Sequence, residues 1–138
     1  MKVFFDTNVY IAEALLGEAA EALLSATGKA SWRILISDYV LDEIERVLVD
    51  DLSFSPRLAQ LTRQHCARRG NHVPERRSRH AVPDDPADSP ILRAAVDAGT
   101  DYLVTNDTHL LDLHPYEGIR IISMTEYYLF LTHEGLLS

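Results

Sequence analysis

The feature that most constrains this chain is a set of short, nearly continuous apolar runs, each broken off by small polar or acidic residues. Lys2 to Phe5 stops at Asp6-Thr7-Asn8, Trp32 to Ile36 stops at Ser37, and Tyr102 to Val104 stops at Thr105-Asn106-Asp107. A strand that is apolar on both faces must be covered on both, as in the parallel sheets of α/β proteins. Ile119 to Ile122 is a further run of this kind, and Arg79 to Val82 reads as another short strand. Helical spacing fills the intervals. Val9 to Leu16 and Glu18 to Ala26 carry it, with Gly17 between them and Gly28 as a stop. Val40, Leu41, Ile44, Val47 and Leu48 form an apolar stripe behind a Ser37 cap. Pro56 to Arg69 starts with Ser55 as cap and proline at the first position. Asp88-Ser89-Pro90 opens a helix to Ala98 that Gly99 closes, and Met124 to Leu131 is a last helix packed on the core. The alternation predicts an α/β chain, a three-layer α/β/α fold around a central mainly parallel sheet of four to five strands.

With 138 residues, 46% apolar and 25% charged, the composition is that of one soluble globular domain, residues 132–138 being read as a loosely held tail. The lone Cys66 excludes a disulfide framework and a multi-cysteine zinc site, and fits a reducing cytosol. Asp6 interrupts the first apolar run too early for a signal peptide, and no run approaches the roughly 20 residues that span a bilayer. The expectation is a cytoplasmic protein with no membrane association. A net charge of −8 argues against a nucleic-acid partner only if the charge is evenly spread. It is not: seven of the thirteen basic residues (Arg57, Arg63, Arg68, Arg69, Arg76, Arg77, Arg79) fall in a stretch whose only acid is Glu75. That stretch reads either as a solvated helix face followed by a loop or as a phosphate-contacting rim, with Arg68, Arg69, Arg76 and Arg77 the candidates for RNA.

Ligands of open parallel sheets bind beyond the carboxyl ends of the strands. This sequence places Asp6 after the first strand, Glu43 on the helix after the second, Asp88 at the head of the helix before Gly99, and Asp107 after the strand at Tyr102. Each acid alone has a plain explanation as a helix cap or a surface residue. Together at one sheet edge they repel unless a cation offsets them. Carboxylates without histidine or cysteine form a hard oxygen site suited to Mg²⁺ or Mn²⁺, and the six histidines offer no zinc spacing. Thr7, Asn8, Ser37, Thr105 and Asn106 could support the carboxylates. Such a site activates water against a phosphodiester.

These segments resemble a known family. Val3-Phe4-Phe5-Asp6-Thr7-Asn8-Val9 looks like the opening of PIN-domain proteins, and Ser37 to Leu48 resembles their second block. Asp85-Pro86-Ala87-Asp88-Ser89-Pro90-Ile91-Leu92 and Ala98 to Asp107 are similar to the third and fourth. The likeness runs from residue 1 to about 131 and is closest to toxin components of toxin–antitoxin pairs, related to the VapC toxins. Carried over by position, the metal-binding acids fall on Asp6, Glu43, Asp88 and Asp107, with Asp85 as an assistant to Asp88. The resemblance implies an endoribonuclease using Mg²⁺ or Mn²⁺, an RNA substrate, a homodimer, and inhibition by a small antitoxin protein. Two other readings stay open: a non-catalytic PIN-type module binding RNA or protein, and another magnesium phosphohydrolase. A haloacid-dehalogenase-like enzyme is disfavoured because Asn8 stands where its second aspartate belongs, and no lysine follows Leu35.

Overall fold

A computed structural model of the chain describes residues 1–74 and 89–137. Among the described residues, five strands form one wholly parallel sheet in the order β3-β2-β1-β4-β5: β1 (Lys2–Phe5), β2 (Arg33–Ile36), β3 (Asn71–His72), β4 (Tyr102–Val104) and β5 (Arg120–Ile122). Val3, Phe4 and Phe5 of the central strand are fully buried, because helices cover both faces, as the unbroken apolar run requires. The α/β expectation and the strand reading at Lys2, Trp32, Tyr102 and Ile119 hold to within a residue or so. The expected strand at Arg79–Val82 lies outside the described residues. The observed β3 is two exposed polar residues, too short and too hydrophilic to leave an apolar signature.

The helices are α1 (Thr7–Ala14), α2 (Glu18–Lys29), α3 (Asp38–Asp50), α4 (Pro56–Arg69), α5 (Ser89–Asp97), α6 (Thr108–Leu111) and α7 (Met124–His133). Their starts follow from local capping chemistry. Ser37 Oγ accepts from Val40 N, Ser55 Oγ accepts from Leu58 N, and Ser123 forms a reciprocal capping box with Glu126. Alpha-helix α3 buries Val40, Leu41, Ile44 and Leu48, the stripe that its sequence announces, and packs on α4 and α1. Helix α7 packs on α2, and its Tyr127 and Phe130 join Phe5, Tyr102 and Trp32 in one aromatic cluster. This confirms the core reading of that helix, and Trp32, partly buried, packs against the same core. Among the described residues no helix is long and apolar enough to cross a membrane.

The strand order matters for the site. From β1 the chain goes to β2 on one side, while β4 lies on the other. The order therefore reverses between β1 and β4, and a crevice opens outside their carboxyl ends. The parallel register pairs Phe5 with Val104, so Asp6 and Thr105 leave the sheet side by side, and Asp6 N donates to Val104 O at 2.9 Å.

Candidate active site

Asp6 ends β1 in an extended conformation and caps α1; its side chain is only 3% exposed. A carboxylate taken that far out of water must be hydrogen-bonded. Oδ1 accepts from Thr7 N at 2.6 Å, and Oδ2 accepts from the Thr105 hydroxyl at 2.7 Å. Thr105 has one proton, and Asp6 takes it. Its oxygen is then an acceptor toward Asp107 N, at 3.0 Å. Asp107 in turn caps α6, with Oδ1 accepting from His109 N at 2.8 Å and lying 3.7 Å from His109 Nδ1. The loops after β1 and β4 are thus one polar chain: Asp107 amide, Thr105 hydroxyl, Asp6 carboxylate. Asn106, between them, accepts from Met124 N at 3.0 Å through Oδ1 and ties this loop to the start of α7.

Glu43 sits half-buried on α3, where both of its oxygens accept from Arg46, Nε at 3.0 Å and Nη2 at 2.9 Å. The hydrogen bond and the charge of Glu43 raise the Arg46 pKa further above its usual value. Asp42 and Glu45 face the other way, toward Arg63 of α4 at 2.6 and 3.4 Å, so the helix separates Glu43 from its two acidic neighbours. Ser37 is fully buried and serves as the cap of α3; Asn8 is exposed in the first turn of α1. Asp88, Asp85, Arg76 and Arg77 lie outside the described residues. Among the described residues, no group of three or more His, Cys, Asp or Glu stands together as a metal-holding cluster. The structure joins Asp6 to Asp107 through Thr105, and leaves Glu43 in the hands of Arg46.

The two arginines at the end of α4 differ. Arg68 is exposed. Arg69 is half-buried and makes a two-pronged ion pair with Glu13 of α1, both contacts at 2.6 Å, with Cys66 Sγ at 3.8 Å. Burial alone would lower the Arg69 pKa, but the Glu13 hydrogen bonds and charge outweigh it and the net shift is upward. Burial pushes the Cys66 thiol up, against the opposing charge of Arg69. This clamp was not anticipated from sequence. The available signal was that Ala59, Cys66 and Arg69 share one face of α4, the first two being its buried residues.

The PIN domain profile matches residues 2–109, which span β1 to α6 and all four candidate acids. The chain belongs to the PIN domain family. The resemblance read from its motifs is borne out, with β5 and α7 beyond the matched segment. No curated protein matches this PIN domain. Its fold is similar to that of a chain in the crystal structure of VapBC2 from Rickettsia felis bound to a DNA fragment from their promoter. The TM-score is 0.66 at 16% identity, covering 89% of this PIN domain and 98% of that chain.

Proposed function

We propose that this PIN domain is a metal-dependent endoribonuclease and the toxin of a toxin–antitoxin pair. The observation that carries the reading is the linked pair Asp6–Thr105–Asp107 at the topological switch of the sheet. The donor set fits Mg²⁺ or Mn²⁺ in kind, since it is carboxylate oxygen throughout. Asp6 and Asp107 would hold the ion, with Glu43 and Asp88 completing the set and Asp85 assisting. Such an ion supplies an activated water and offsets charge on the leaving oxygen.

The chain's own residues set the conditions. Thr105 fixes the rotamer of Asp6 and the height of the Asp107 loop. Thr7 N anchors the other Asp6 oxygen, and Ser37 sets the start of the helix that carries Glu43. Asn8, exposed in the first turn of α1, would offer its amide to a water or a phosphate oxygen. Glu43 would turn at least one oxygen from Arg46 to join an ion, an exchange that an ion pair with a solvent-exposed arginine opposes only weakly. Arg68, with Arg76 and Arg77, supplies the positive rim for the RNA backbone, whereas Arg69 is held by Glu13. The fold shared with a chain of VapBC2 supports a small antitoxin protein as partner, and a homodimer working in the cytoplasm completes the reading.

Purified protein should cut RNA with Mn²⁺ present and stop with EDTA, and Asp6→Asn should abolish cutting. Cleavage that survives both treatments would overturn the proposal. The Glu43–Arg46 pair favours one second reading, a PIN module that binds RNA or protein without cutting. Titration calorimetry decides between them, because that module would take up no Mn²⁺.

A further inference from the structure

A cleft of about 350 Å³ opens at the same edge of the sheet, lined by Ala19, Leu23, Asn106, Met124, Thr125 and Tyr128. Asn106 and Met124 follow the carboxyl ends of β4 and β5, so the cleft shares the rim that carries Asp6 and Asp107. Asn106 is the residue between Thr105 and Asp107. Its Oδ1 accepts from Met124 N, which sets which way round the amide lies and leaves Nδ2 as the remaining donor of an exposed side chain that lines the cleft. Tyr128 is 38% exposed although its neighbour Tyr127 is fully buried, so one ring of α7 serves the core and the next faces the cleft. Leu23, also buried, forms an apolar floor.

Among the described residues, no charged side chain lines this space. A phosphate or a carboxylate would find nothing among them to offset its charge. A flat, neutral group with hydrogen-bonding edges would find an aromatic face, a thioether and an oriented amide donor. The volume is toward the lower end of small-ligand pockets, commonly about 300–1,000 Å³. We propose that the cleft receives an unpaired nucleobase of the RNA strand beside the bond to be cut, stacked on Tyr128 and accepting from Asn106 Nδ2. The inference rests on the nuclease reading above and adds to it a base-contacting specificity subsite, with the strand running from the cleft across Asp107 to Asp6.

The test uses the Asp6→Asn protein with Mg²⁺ and a short single-stranded oligoribonucleotide carrying 2-aminopurine, whose fluorescence falls when the base stacks. Quenching should be seen, and Tyr128→Ala should weaken binding about ten-fold, within the range for loss of one base–aromatic stack. Tyr128→Phe keeps the ring and should bind like the parent. Leu129→Ala, at an exposed position that does not line the cleft, should be silent. Absent quenching, equal binding by Tyr128→Ala, or equal loss in Tyr128→Phe would each overturn the subsite. Cleavage by the wild-type protein is read separately: if it cuts RNA while Tyr128→Ala binds normally, the subsite fails and the nuclease reading stands.

Discussion

The Thr105 hydroxyl can be removed almost without changing shape, by Thr105→Val. The side chain is fully buried, so the substitution exchanges a hydroxyl for a methyl in a closed space. Two hydrogen bonds disappear: the one given to Asp6 Oδ2 at 2.7 Å and the one received from Asp107 N at 3.0 Å. A bond to a charged group contributes about 1.5–3 kcal/mol and a neutral one about 0.5–1.5 kcal/mol. The added methyl returns about 0.8 kcal/mol by burial. The expected net loss is therefore about 1–4 kcal/mol, measured as a lowered urea midpoint at unchanged slope. A divalent cation gives the site a second answer. Because Mn²⁺ would offset the charge of Asp6 directly, the loss should shrink when Mn²⁺ is added, and Mn²⁺ itself should stabilise the parent protein. A loss below about 0.5 kcal/mol without metal would show that Asp6 does not depend on Thr105, and would refute the reasoning.

Arg69→Met should cost about 2–3 kcal/mol, less than the 3–5 of a fully buried broken pair because Arg69 and Glu13 retain 25% and 13% exposure. Adding Glu13→Gln should recover part of it, and an undiminished loss in the double variant would deny the pairing. Arg68→Ala should leave stability alone and flatten the log–log salt dependence of RNA binding by about 0.7. An unchanged slope would remove Arg68 from the interface. Cys66, buried and with its thiol pKa raised, should resist iodoacetamide in the native protein and react only after denaturation; rapid native labelling would refute that. Burial raises the Tyr127 phenol from 10.0 to about 12 against the opposing Thr27 hydrogen bond, so the fold favours its neutral form. Its contribution to stability is complete below pH 10 and falls as pH climbs toward 12. Tyr127→Phe should flatten that alkaline decline, as read from denaturant midpoints, and an equally steep fall in the variant would count against it.

The parts of the site fixed by short-range rules were legible in the sequence. Asp6 and Asp107 could be placed because one directly follows, and the other lies three residues past, an apolar run that reads as a covered strand. Ser37 announced the start of α3, and the stripe from Val40 to Leu48 put Glu43 on a different face from Asp42 and Glu45. The partnership of Glu43 with Arg46, three residues on, was legible in principle as a helical pair. What escaped depends on tertiary approach. Nothing near Arg69 in the sequence points to Glu13, which comes from another helix 56 residues away. The role of Thr105 as a relay needed the pairing of β1 with β4, and β3 had no pattern to read at all. Tyr128 carries no motif, and the block that contains Asn106 says nothing of Tyr128; only the folding of α7 against the end of β4 brings them to one cleft.

The side-by-side exit of Asp6 and Thr105 has a consequence for how such a chain can change. Their meeting depends on Phe5 facing Val104, with nearly a hundred residues of chain between the two strands. Substitutions within β1 or β4 that keep an apolar side chain preserve that alignment. Losing or gaining a single residue in either strand does not, because side chains alternate in direction along a strand and a one-step slip turns every one of them over. Asp6 would then point away from Thr105 while the sheet beneath it stayed largely apolar and stacked. Length changes are disabling in these two strands and in the few residues that leave them, so the spacing from Phe5 to Asp6 and from Val104 to Asp107 is a counted interval, as much a part of the site as the carboxylates it aligns.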